Sequence, residues 1–361
     1  MKSASEESAA LSESECLRYQ RQLSLPDFAE TGQQALKSAS VLCVGAGGLG
    51  APALTYLAAA GVGRIGVIDS DRVELSNLHR QLLFTERELG RPKVEVAAAR
   101  LRAINPHITV EPYEARLSEE NALQLFSRYD LIVDGSDNFP TRYLVNDAAV
   151  LCDRPFVYGA ISGFEGQVSV FNDQGGPTYR CLFGDPPPQS LFPPCAEAGV
   201  LGVLPAVIGS LMATEAIKLI TSVGESLSGR LLTYDARRMS FQSLSIPARS
   251  SAPVTALRSI MSSCGVVNKI RETERLSVED FLVQRSREGE TLIDVRTPQE
   301  FKQNGLKGAF NLPLSTLEGG EAPKSLSSAA GLLIYCQSGQ RSARAVELLR
   351  RVGVPLAHLE G

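Results

Sequence analysis

Gly45-Ala46-Gly47-Gly48-Leu49-Gly50 lies between the apolar run Val41–Val44 and a small-residue stretch that reaches Ala60. Gly45, Gly47, Gly48 and Gly50 allow a tight turn and a close backbone approach. A helix beginning beyond them offers unpaired N–H groups to an anion, so the segment suits phosphate. Asp69 closes the next apolar run, where a carboxylate accepts hydrogen bonds from ribose hydroxyls. Asp71, Ser76-Asn77-Leu78-His79-Arg80-Gln81 and Lys93 follow closely. Asn77, the Arg80 fork and the Lys93 point charge can surround a polyphosphate, because both cations favour charge spread over phosphoryl oxygens. Hydride transfer would leave this basic cluster idle, so a nucleoside triphosphate fits better than a nicotinamide dinucleotide.

A second centre is Tyr335-Cys336-Gln337-Ser338-Gly339-Gln340-Arg341-Ser342, after an apolar strand and before a helix. Backbone N–H groups at a helix start favour thiolate or persulfide, and Arg341 adds positive charge. The seven cysteines, Cys16, Cys43, Cys152, Cys181, Cys195, Cys264 and Cys336, are scattered without a short-spaced pair. That pattern speaks for thiol chemistry in a reducing compartment rather than a disulfide framework. With only three histidines, His79, His107 and His358, a histidine-activated nucleophile is disfavoured.

The positioning elements are an α/β alternation. Strands are expected at Val41–Val44, Ile65–Asp69, Ile108–Tyr113, Leu131–Asp134 and Phe156–Gly159. Helices are expected up to Ala60, over Lys93–Ile104 and over Leu204–Ile220. Gln167–Phe171, alternating in polarity, reads as an antiparallel addition, and Leu231–Tyr234 and Phe241–Ile246 close the first domain. The whole implies a doubly wound, mostly parallel sheet. Residues 1–15 read as a disordered N-terminus, 16–246 as the nucleotide-binding domain and 247–274 as a Ser-rich linker. A small α/β domain fills 275–361, with helix Val278–Arg285, strands Leu292–Asp294 and Leu332–Tyr335, and helix Ser342–Arg351. Net charge −4 leaves no basic footprint, so no nucleic-acid partner is expected. Apolar runs fall short of the roughly 20 residues that span a bilayer, so no membrane partner is expected. The Ser/Glu-rich start lacks a signal-peptide core, which points to the cytoplasm.

Arg18-Tyr19-Gln20-Arg21-Gln22, the glycine turn, Asp69-x-Asp71, Ser76–Gln81, Lys93 and Asp134-x-x-Asp137-Asn138-x-x-x-Arg142 together resemble the ubiquitin-activating superfamily. The nearest branch is that of molybdopterin-synthase and thiazole-synthesis adenylyltransferases. The resemblance implies ATP with Mg²⁺, release of pyrophosphate, a homodimer and a ubiquitin-like sulfur-carrier protein as partner. It assigns Gly48, Asp69, Asn77, Arg80, Lys93, Asp137 and Asn138 to ATP or its metal, and sends Arg21 into the partner subunit's site. Asp137 would hold Mg²⁺, a hard cation that prefers oxygen. Cys195, in Pro194-Cys195-Ala196-Glu197, stands where the family places a cysteine that bonds the carrier. The family often binds structural zinc through two C-x-x-C pairs. Here Thr178-Tyr179-Arg180-Cys181 and Met261-Ser262-Ser263-Cys264 keep one cysteine each, so no zinc is expected.

Asp294-Val295-Arg296-x-x-x-Glu300-Phe301, Gly308-Ala309-x-Asn311-Leu312-Pro313 and the Cys336 loop resemble the rhodanese family. Persulfide on Cys336, charged by a donor such as a cysteine desulfurase or thiosulfate, is implied. Gly305 stands where that family has a histidine. Two readings stay open: adenylation followed by sulfur transfer, or adenylation alone with a docking or vestigial second domain. A nucleotide-binding scaffold without turnover is a third.

Overall fold

The computed structural model describes residues 10–184, 199–247, 254–257, 275–276, 291–306, 308–318, 332–336, 340–350 and 356–359. The chain divides into two compact units, Met1–Gly265 and Val266–Gly361.

The first unit opens with α1 (Glu13–Arg18), α2 (Gln20–Leu23) and α3 (Ala29–Ser38). Helix α1 corrects the expected disorder through residue 15. Ser12 and Glu15 form a capping box, and buried Glu15 reaches Lys37 at 2.7 Å. This satisfies orphan N–H groups at the helix start and ties α1 to α3.

An eight-stranded sheet follows: β1 (Ser40–Val44), β2 (Arg64–Ile68), β3 (Thr109–Tyr113), β4 (Leu131–Asp134), β5 (Phe156–Ser162), β6 (Glu165–Phe171), β7 (Arg230–Asp235) and β8 (Ser240–Ser245). Its order is β3-β2-β1-β4-β5-β6-β7-β8. The first five strands are parallel; β6, β7 and β8 are antiparallel additions. All five residues of β1 are buried, as a central parallel strand covered on both faces must be. Val41 and Cys43 enter one core, and Leu42 and Val44 the other.

Between strands lie α4 (Gly50–Ala60), α5 (Lys93–Ile104), α6 (Ala122–Phe126), α7 (Phe139–Leu151), α8 (Tyr179–Phe183) and α9 (Leu204–Thr221). Length and hydropathy alone would let α9 cross a membrane. Its Leu204, Ile208, Met212 and Ala216 instead fill the core under β5 and β6. Helix α5 keeps its expected bounds and stops at Asn105, whose amide holds Tyr19 Oη and Ala58 O at 2.8 and 2.7 Å.

The second unit has an all-parallel sheet, ordered β11-β10-β12-β13-β9. Its strands are β9 (Arg275–Leu276), β10 (Thr291–Asp294), β11 (Phe310–Asn311), β12 (Leu332–Tyr335) and β13 (Leu356–Leu359). Its helices are α10 (Pro298–Asn304), α11 (Leu314–Glu318) and α12 (Gln340–Arg350). Ile293, Val295, Ile334, Ala345 and Leu349 anchor its core. The expected helix Val278–Arg285 lies outside the described residues.

Candidate active site

Strand order reverses between β1 and β4, and a crevice opens beyond the carboxyl ends of such a pair. The glycine turn leaves β1 exactly where that crevice begins in sequence, at Gly45. Gly45 has φ +91°, a left-handed conformation that glycine adopts without penalty. A Cβ on Gly50 would sit 1.9 Å from Gly45 O, and one on Gly135, just after β4, 3.0 Å from Gly50 N. The turn therefore folds back on itself and packs against the start of the loop that carries Asp137.

The predicted residues gather at this turn. Asp69 is tied to it: one carboxylate oxygen accepts from Ala46 N and the other from Asp71 N, both at 2.8 Å. Burial raises its pKa, against the opposing charge of Lys93. Each oxygen keeps a second acceptor direction, as ribose recognition needs. Lys93 opens α5 and is buried; its Nζ meets Asp71 Oδ2 at 2.8 Å, while the Asp71 side chain is 66% exposed. A lysine is seldom buried beside so open an anion, so the site has positive charge to offer a polyphosphate.

The Ser76–Gln81 segment forms a compact knot. Asn77 is buried and accepts from Glu74 N at 3.2 Å. Ser76 Oγ donates to Glu74 at 3.1 Å, and Ser76 O accepts from Arg80 Nη1 at 2.9 Å and pairs with His79 Nδ1 at 3.1 Å. Leu78 turns into the core. A Cβ on Gly48 would lie 3.2 Å from Pro205 and 3.6 Å from Arg80 Cδ, so α9 and Arg80 narrow the cradle over Gly48. Gln81 is buried, beside Gly47, and its Oε1 has no partner among the described residues. The sequence marks Gln81 only as a motif member and gives no sign of Pro205; only the return of α9 brings Pro205 to the turn.

After β4, Asp137 is exposed. Asn138 caps α7 by accepting from Thr141 N at 3.0 Å. Its Nδ2 lies 3.5 Å from Asp137 Oδ1. These oxygens suit a hard cation, so the residues present fit Mg²⁺. Arg21 is elsewhere in its own chain. Its neighbour Gln22 donates to Ala60 O, at the far end of α4. An 11-residue helix separates that point from Gly50, about 16 Å.

Zinc does not fit what is described. Cys181 Sγ accepts from Thr178 N at 3.4 Å, and Thr178 Oγ1 lies at the same distance. A thiolate site needs four ligands, and among the described residues no cluster of three metal-binding side chains exists. Tyr179 and Arg180 hold this segment instead. Arg180 grips buried Asp147 through Nε and Nη2, each at 2.8 Å. Tyr179 N donates to Asn146 Oδ1 at 2.9 Å. Cys195 and Cys264 lie outside the described residues.

In the second unit Cys336 follows β12 and is buried. Ser342 N, near the start of α12, donates to its Sγ at 3.3 Å, and Ser342 Oγ lies at 3.5 Å. Arg341 is committed differently from the sequence expectation. Its fork binds Glu300 at 2.9 Å through both nitrogens. That hydrogen bonding drives the Glu300 pKa down to about 2. Asp294 is fully buried under Arg296, which donates to it from Nε at 3.0 Å and Nη2 at 2.6 Å. Gly305 ends α10 with no room for a side chain: a Cβ would lie 2.5 Å from the Phe301 ring. The absent histidine is thus built into the local packing.

A phosphate cradle at a strand-order switch defines the first unit as a nucleotide-binding α/β domain. A cysteine at the carboxyl edge of a small parallel sheet marks the second as rhodanese-like. Family models agree: residues 19–254 match the ThiF family and residues 277–361 the rhodanese-like domain. The chain belongs to the ThiF family. It is 46% identical over 99% of its length to a probable adenylyltransferase/sulfurtransferase, MoeZ of Mycobacterium tuberculosis, covering 94% of that protein. It is 42% identical to the adenylyltransferase and sulfurtransferase MOCS3 of Arabidopsis thaliana, over 95% of this chain and 81% of that one. A sulfur carrier protein adenylyltransferase of Thermus thermophilus is 57% identical over 66% of this chain and 89% of its own. The E. coli MccB structure with ATP shares the fold, with TM-score 0.56 and 22% identity over 67% of this chain and 81% of that one.

The Glu300–Arg341 pair yields a pH prediction. A carboxyl lowered from 4.5 to about 2 stabilises the second unit fully above pH 4.5. That contribution fades as pH falls toward 2. Hydrogen-exchange protection of residues 332–336 should drop over this window in the native chain and change less in Glu300→Gln. Equal pH profiles in the two chains would refute it.

Proposed function

We propose that the protein adenylates the C-terminal Gly-Gly carboxylate of a ubiquitin-like sulfur-carrier protein and then sulfurates it through Cys336. The buried Lys93 beside the glycine cradle carries the first half. The carrier carboxylate has a pKa of about 3.5, so it is already a nucleophile at pH 7 and needs no base. It attacks the α-phosphorus of ATP, the bond to pyrophosphate breaks, and an acyl adenylate forms. Gly48 and its neighbours hold the phosphates, Asp69 the ribose, and Arg80 and Lys93 offset the gathering charge. Mg²⁺ held by Asp137 would neutralise the departing pyrophosphate.

In the second half, the terminal sulfur of a Cys336 persulfide attacks the acyl carbon and AMP leaves. A small thiol reductant then attacks the Cys336 sulfur of the acyl disulfide, the thiocarboxylate leaves, and a second reductant thiol cleaves the mixed disulfide and frees Cys336. Cys195 is our candidate for the cysteine that bonds the carrier as an acyl disulfide or thioester. The donor that recharges Cys336 is a cysteine desulfurase or thiosulfate. Ser342 N supports the sulfur at the loop where charge develops. The seven cysteines are scattered without a short-spaced pair, and we place the protein in a reducing cytoplasm.

We further assign the working form to a homodimer, in which Arg21 serves the opposite subunit. Arg21 cannot reach the cradle of its own chain across the length of α4, and a two-fold pair would bring it to the other. We also infer that no structural zinc is held, since Thr178 caps the thiol that would ligate it.

Four outcomes are expected. ATP–pyrophosphate exchange with a Gly-Gly carrier should persist in Cys336→Ala. Mass spectrometry of the carrier should show sulfur replacing one terminal oxygen with the native chain only; thiocarboxylate formed by Cys336→Ala would leave the second unit a docking domain. Mixed Arg21→Ala and Lys93→Ala subunits should regain about a quarter of native exchange, one sound site in half of the dimers. No recovery would place Arg21 in its own chain's chemistry or outside it. Chelation of zinc should leave the melting temperature unchanged, and a large fall would restore the metal.

A further inference from the structure

Asp137 is the only residue given a metal-holding role, yet it is an exposed side chain on a loop. Something must fix that loop, and the structure shows two buried charges doing so from beneath. Asp134, the last residue of β4, has no exposure, and its Oδ1 accepts from Ser136 N at 3.0 Å. Arg142, one turn into α7, is also buried, and its Nη2 donates to Ser136 O at 3.3 Å. Both backbone polar groups of Ser136, the residue before Asp137, are therefore held by buried charged side chains. The Arg142 fork is itself braced between the Phe139 and Tyr158 rings, each centroid 5.5 Å from Cζ. Contacts of that kind are attractive and restrict the rotamer. On the far side Asn138 caps α7, and Gly135 packs on Gly50 N.

We propose that Asp134 and Arg142 are positioning residues that clamp the Ser136 peptide and so aim Asp137 at the metal accompanying the nucleotide. The proposal rests on the reading of Asp137 as a magnesium ligand. Neither residue needs to touch ATP. Buried Asp134 lies behind the loop, and Arg142 spends its fork on a carbonyl and two rings. The division is chemically reasonable. An exposed carboxylate pays an entropy penalty each time it orders around an ion, and a clamped backbone removes part of it. Outer partners of metal ligands are commonly worth 10–100-fold in metal affinity.

The alternative is that the pair merely satisfies the interior. Binding separates the two. The full chain is titrated with a fluorescent ATP analogue, in EDTA and over a MgCl₂ series, with melting temperature as the folding control. In Arg142→Met and Asp134→Ala, the half-saturating Mg²⁺ concentration should rise about tenfold, while affinity in EDTA stays within about twofold of native. Asp134→Asn, which keeps the acceptor for Ser136 N, should recover most of the loss. If Arg142→Met does not fold, Arg142→Lys carries the test, because it keeps the charge and lacks the fork. Unchanged Mg²⁺ dependence in folded variants, or an equal loss in EDTA, overturns the clamp. A native chain whose nucleotide binding ignores Mg²⁺ overturns the reading of Asp137 itself.

Discussion

The approach of two backbone segments at the carboxyl ends of β1 and β4 governs the first unit. Gly50 comes so near Gly45 O that any side chain is shut out, and Gly135 closes on the same point. The contact does three things together. It aims the α4 N-terminus at the phosphate position, it sets β4 beside β1, and it starts the Asp137 loop. Parallel strands buried on both faces make that register stiff, since a shift of one residue would exchange the two cores. Nucleotide recognition thus rests on backbone geometry, with side chains added at its rim.

Those side chains divide by solvent exposure. Lys93 is inside and Asp71 outside, so their pair is lopsided. A burial of charge that is only half compensated costs stability unless a further anion binds beside it. Asp69 follows similar logic. Burial pushes its pKa up, and two backbone donors with Lys93 nearby pull the other way. The second unit uses different means. Its buried pair, Asp294 and Arg296, is closed on itself, and Asn311 ties both backbones at 3.0 and 2.9 Å. Arg341 is spent on Glu300. Among the described residues, the Ser342 N–H and hydroxyl meet the sulfur at 3.3 and 3.5 Å.

Much of this was legible in the residues. The strand-turn-helix at Gly45, the acid at Asp69 and the helix from Lys93 to Ile104 carry local signals, and the structure places them as read. Polarity alternation gave away Gln167–Phe171, within β6, as antiparallel. The N-terminal helix was missed although Ser12 and Glu15 spell a capping box, because Ser/Glu richness was taken as disorder. What was hidden is tertiary. Nothing near Arg341 announces that its partner is Glu300, and nothing near Pro205 announces that it covers Gly48. Arg142 was visible as a motif member, but its grip on Ser136 requires a helix to fold back over its own N-terminal loop.

The segment around Cys181 is fastened by protein groups. Four thiolates and a zinc would cross-link two distant pieces of chain. Here a capped thiol, an Arg180–Asp147 fork and Tyr179 packed edge-on to Tyr143 at 5.1 Å hold one of those pieces to α7. Removing either member of such a buried pair strands a charge and costs about 3–5 kcal/mol, which is tether enough for a short helix.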